Sequence, residues 1–141
     1  MTKKMMDWFL ESLKQMESLK QVEPYEGQFE DPEDITVFPP AALVTINQFS
    51  NTTEAMRASL HYNVSVYVVT THMHGSAQDA MLDTIDAIVS LLHNKGVRYE
   101  ADDVPSVPPD VYFGRCFLEG GSFVGVLPGM AVYRLNFIVK R

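Results

Sequence analysis

The apolar positions of this chain follow two rhythms, one of period two and one of period 3.6. The first is clearest from Arg57 to Thr71, where Leu60, Tyr62, Val64, Val66 and Val68 alternate with Ser59, His61, Asn63, Ser65 and Tyr67. Successive strand side chains point to opposite faces, so this run predicts a long, half-buried strand, central in its sheet. The second rhythm follows at once. Ala77, Met81, Ile85, Ile88 and Leu92 recur at helical spacing, widened by Ala80, Ala87 and Leu91, while Asp79, Asp83, Asp86, Ser90 and His93 take the other side. Ser76 stands as the N-cap, Asp79 faces the positive end of the helix dipole, and Gly96 after Lys95 is read as the C-cap.

The rest of the chain is read around this pair. Lys3 to Lys20 predicts an amphipathic helix, with Met5, Phe9, Leu13 and Met16 in line and Met6, Trp8 and Leu10 broadening the stripe. Gln21 to Gln28 suits an edge strand because Pro24 removes a ladder donor. Phe29 to Pro40 is a loop, Ala41 to Phe49 a strand, and Ser50 to Met56 a turn that brings the long strand back antiparallel. Beyond Gly96 the prolines at 105, 108 and 109 leave room for a short strand near Val97 to Tyr99. Val111 to Glu119 and Met130 to Lys140 form a hairpin around a glycine-rich tip, Gly120 to Gly129. In the last strand Ala131, Tyr133, Leu135, Phe137 and Val139 make the apolar face; Val132, Arg134, Asn136, Ile138 and Lys140 make a mixed one suited to meeting another subunit. The expectation is a single α+β domain over residues 1–141: a mostly antiparallel sheet of about four to five strands packed by a central amphipathic helix, with an N-terminal helix.

Composition narrows what such a domain does. With 141 residues, 46% of them hydrophobic, the chain fills one core. The single cysteine, Cys116, excludes an internal disulfide and fits a reducing compartment. No apolar run reaches the roughly 18 residues that span a bilayer, and Asp7 and Glu11 interrupt any signal-like start, so no membrane partner is expected. The net charge is −7, and seven acidic residues with no lysine or arginine lie between Gln21 and Met56: Glu23, Glu26, Glu30, Asp31, Glu33, Asp34 and Glu54. A surface of this sign does not displace counterions from a phosphate backbone. A solvated, solubilising loop is the ordinary role of such a run.

Candidate chemistry is thin. His72 and His74 form a His-x-His pair, but a catalytic zinc needs a third ligand, and neither Asp79 nor His61 stands at a demanding spacing; two loop histidines near a helix start are the commoner case. Gly120, Gly121, Gly125 and Gly129 lack the following helix and lysine of a phosphate cradle, and Phe123, Val124, Val126 and Leu127 make that tip a docking element instead. Cys116 reads as a buried structural thiol. Asp83 and Asp86 have no acid-base counterpart nearby and read as solubilising. No catalytic residue, metal or cofactor is assigned, and an enzyme is not expected.

One likeness organises these pieces. The order VEPYEGQF, acidic loop, PPAALVTI, VSVYVVT, amphipathic helix and a hairpin ending AVYRLNFIVK resembles the small tail proteins of Mu-like bacteriophages and prophages, and is similar to the tail-terminator proteins of lambda-type phages. Its most specific portion is Val22 to Phe29 followed by Pro40 to Ile46. The resemblance implies a homo-oligomer, a hexameric ring that ends tail-tube polymerisation and joins tail to head. Its partners would be the tube protein and a head-completion or neck protein, in a virion tail assembled in the bacterial cytoplasm. Trp8, Phe9, Phe123, Val124, Arg134 and Asn136 are then the expected subunit or tube contacts. Glu30, Asp31, Glu33 and Asp34 are candidates to line a lumen through which DNA passes without specific binding. The competing expectations are a head-tail connector and a metal-dependent enzyme or small-ligand domain using His72 and His74.

Overall fold

The computed structural model describes residues 2–31, 33–54, 57–71, 76–100 and 110–140. Its elements run α1 (Thr2–Lys14), β1 (Gln21–Pro24), β2 (Ala41–Glu54), β3 (Arg57–Thr71), α2 (Ser76–Leu92), β4 (Lys95–Glu100), β5 (Asp110–Leu127) and β6 (Met130–Lys140). The strands form one six-stranded sheet in the order β1-β2-β3-β6-β5-β4, curled into a half-barrel. All pairs are antiparallel except β1 with β2, which is parallel.

This corrects the expected fold class. The sheet is mixed and has six strands, and no single central helix covers it. The long strand places Tyr62, Val64, Val66 and Val68 in the core as its alternation requires, and Met81, Ile85, Ile88 and Leu92 of α2 pack there too. Met5, Phe9 and Leu13 of α1 are equally buried in that core, with the Phe9 and Phe137 rings 6.3 Å apart. Both helices therefore share the inner face of the sheet, and α1 reaches both edge strands, β1 and β4. Curvature brings those edges toward one helix, an arrangement that strand-by-strand periodicity does not encode.

Three local expectations also change. The helix stops at Leu92, and the left-handed residue after it is Asn94 (φ 62°), not Gly96, which lies inside β4. Asparagine is the commonest substitute for glycine at this position, and the Asn94 amide donates to the Cys116 carbonyl at 2.6 Å. The β2–β3 strands continue to Glu54 and Arg57, so only residues 55 and 56 separate them. The glycine-rich segment is mostly strand: β5 stays paired with β6 as far as Leu127↔Met130, through register shifts at Leu118/Gly120 and Phe123/Gly125. Only Pro128 and Gly129 turn the chain, with Gly129 at φ 73°.

Alternation sends Leu43, Val69 and Val132 to the other side of the sheet, where with Val37, Ala41 and Met130 they form a second, smaller core. The segment 25–40 closes over it. Tyr25, Phe29 and Tyr67 stack with centroid separations of 4.6 to 5.4 Å, and the Tyr25 hydroxyl donates to Glu30 Oε1 at 2.7 Å. Burial first, then this hydrogen bond and the charge of Glu30, push the Tyr25 pKa up.

Candidate functional site

The outer face carries a polar grouping. At its centre β2, β3 and β6 present a polar ladder: Asn47 Nδ2 donates to Ser65 Oγ at 2.6 Å, and Ser65 Oγ donates to Asn136 Oδ1 at 2.9 Å. Ser65 is buried, so its hydroxyl is held at both ends as burial demands. Asn47 occupies the β2 bulge between Ile46 and Gln48, the extra residue that lets its side chain reach across to Ser65. Beside the ladder a cleft of about 630 Å³ is lined by Asn63, Glu119, Gly120, Gly121 and Ser122 with Asn47 and Asn136. Arg134 lies on the same strand face as Asn136, opposite Ser122 in register, and its Nε is buried without a hydrogen-bond partner.

The β5–β6 hairpin supplies the apolar surface. Phe123 is 56% exposed, Val124 48% and Val126 55%, with Phe123 tilted against Tyr133 at 6.5 Å. β4 pairs with β5 only from Asp110 to Cys116. Among the described residues no strand covers the outer edge of β5 beyond that point, and on this uncovered stretch Phe123 and Val126, opposite Tyr133 and Ala131, lie on the inner-face side.

The expected contact residues thus part company. Phe123 and Val124 are exposed, and Arg134 and Asn136 sit on the outer face. Phe9 is fully buried in the protomer's own core, while Trp8 beside it is half-buried, its ring at 5.0 Å and nearly perpendicular. Glu30, Asp31, Glu33 and Asp34 are all exposed on the segment that covers the second core. His72 and His74 lie outside the described residues, Asp79 is exposed on α2, and His61 is half-buried on β3. Among the described residues no group of three or more histidine, cysteine or acidic side chains is placed to hold a metal, and no helix is long and apolar enough to cross a membrane. Cys116 is completely buried, and burial pushes its thiol up to about 12.

Sequence reasoning missed the ladder and one further grouping, the cations Arg115 and Lys140. They stand directly opposite each other across β5 and β6, and both are exposed. Alternation assigns each to the outer face; only the strand register brings them together.

No protein-family model matches the chain, and no curated protein does. Among solved structures, a chain of the "Virion of native gene transfer agent (GTA) particle" is similar over 70% of this chain and 77% of its own, with 14% identity and a TM-score of 0.29. A likeness this weak carries no argument about function.

Proposed function

We propose that this chain is a structural protein of a phage tail, a terminator whose copies close into a ring on the end of the tail tube and offer the surface to which the head is joined. The observation that carries this reading is the exposed strip Phe123, Val124 and Val126 beside the uncovered outer edge of β5. An apolar strip on an open strand edge is a liability in a monomer and an asset in a subunit that docks. The strip serves the contact with the tube or the neighbouring subunit, and Arg134 and Asn136 belong to a second, polar contact on the outer face. Two unlike patches meeting head to tail are what cyclic closure needs, and six copies can repeat one such pair. The sequence resemblance to tail terminators points the same way. On this reading DNA passes through the ring without being held.

The deciding experiment is electron microscopy of tails assembled in cells lacking the protein. Tubes of uncontrolled length are expected. Tails of normal length that fail to join heads would move the chain to the connector position, and normal tails that join heads would remove it from tail completion altogether.

A further inference from the structure

Two groupings of opposite charge lie far apart on the outer face, one cationic and one acidic. Arg115 and Lys140 oppose each other across β5 and β6, an arrangement that destabilises a strand pair when nothing neutralises it. Among the described residues neither meets a carboxylate: Arg115 Nη1 donates to the Asn94 carbonyl at 2.8 Å, and Lys140 Nζ lies 5.7 Å from the centre of the Phe117 ring. In a chain of net charge −7, this pair of cations meets no acidic side chain among the described residues.

The anionic counterpart is segment 25–40. It displays Glu26, Glu30, Asp31, Glu33 and Asp34 to solvent and is fixed in place: Tyr25 and Phe29 stack on Tyr67, and the Lys20 amide donates to the Pro40 carbonyl at 2.8 Å. Tyr67 stands opposite Arg134, six residues before Lys140, so the two corners lie about 20 Å apart along the strand direction alone. That exceeds the screening length of roughly 8 Å in physiological salt, so the two corners hardly attract within one protomer. They are also different patches, so a contact between them is heterologous and propagates.

We infer that the cationic corner at Arg115 and Lys140 docks on the acidic segment around Glu33 and Asp34 of a second copy of this chain, head to tail. The inference rests on the reading of the protein as a self-assembling subunit and deepens it: the acidic residues face the neighbouring subunit, and β5 and β6 present the cations that receive them.

Two double reversals test it, Arg115→Glu with Lys140→Glu, and Glu33→Lys with Asp34→Lys. All four positions are exposed, and unchanged circular dichroism and thermal melting establish that the fold survives. Light scattering of the wild type is expected to show a multiple of 15.9 kDa that falls apart as salt rises from about 50 mM to about 500 mM. Each reversal alone should weaken association by on the order of tenfold or more. An equimolar mixture of the two reversals should regain it, because every junction then pairs opposite charges again. Assembly of both reversal variants to the same extent as the wild type overturns the docking surface while leaving the terminator reading to the tail-length experiment. A wild type that stays at 15.9 kDa overturns it as well, and loss of duplex DNA binding in the Arg115/Lys140 variant would then assign the corner to phosphates.

Discussion

At the scale of single residues, burial decides which groups are chemically available. Cys116 has no exposed surface, and its thiol holds its proton up to about 12 where an unfolded chain releases it near 9.0. The native protein should therefore resist iodoacetamide at pH 8 and react promptly in denaturant, read by mass spectrometry. The same shift sets a sign: between about 9 and 12 the unfolded chain loses the proton first, so this group's contribution to stability falls as pH rises through that window. Gly121 makes the opposite point, a position defined by what is absent. A Cβ there would stand 3.0 Å from both Leu135 Cδ2 and Tyr133 Cε1 and 3.2 Å from the Arg134 carbonyl oxygen. Gly121→Ala should cost about 1 to 3 kcal/mol in denaturant unfolding, whereas Gly120→Ala, with nothing within 4 Å, should cost less.

At the scale of elements, α1 is as much part of the core as α2. Phe9→Ala should lose about 3 to 5 kcal/mol of stability. Trp8→Ala should lose less, since that ring is only half-buried, and chemical denaturation of the two variants ranks them directly. β3, α2 and the inner face of β6 were legible in the sequence because each keeps one strong period along its own length. Three features were not. β1 is four residues ending at Pro24, too short for its pattern to state a direction, so its parallel pairing came only with the structure. β5 runs through Gly120 to Val126 on two register shifts, each of which resets the alternation and makes a strand look like a loop. The second core draws Leu43, Val69 and Val132 from three strands, so no one segment announces it. The candidate site followed the same rule: the exposure of Phe123 and Val124 was readable from a local apolar run, while the Asn47–Ser65–Asn136 ladder and the Arg115–Lys140 pair needed register.

At the scale of the whole molecule, the protein divides its labour between two faces. The inner face holds the chain together through two helices, while the outer face lies partly under segment 25–40 and the β5 edge is uncovered beyond Cys116 among the described residues. If apolar contacts at Phe123, Val124 and Val126 supply cohesion, the charged corners supply orientation, because opposite charges at distant points admit head-to-tail contact and oppose head-to-head. The parallel pairing of β1 with β2 matters to this arrangement. Parallel neighbours cannot be joined by a tight turn, so residues 25–40 must travel back along the sheet before β2 begins. The acidic segment is thus a strap buckled at both ends, by Gln21–Pro24 lying against Ala41–Val44 and by the Tyr25 amide on the Val44 carbonyl. A strap of this kind tolerates a cut: severed between Glu33 and Asp34, the chain would remain one object, because α1 and β1 on one side of the nick are bound to the sheet on the other through the core and the pairing of β1 with β2.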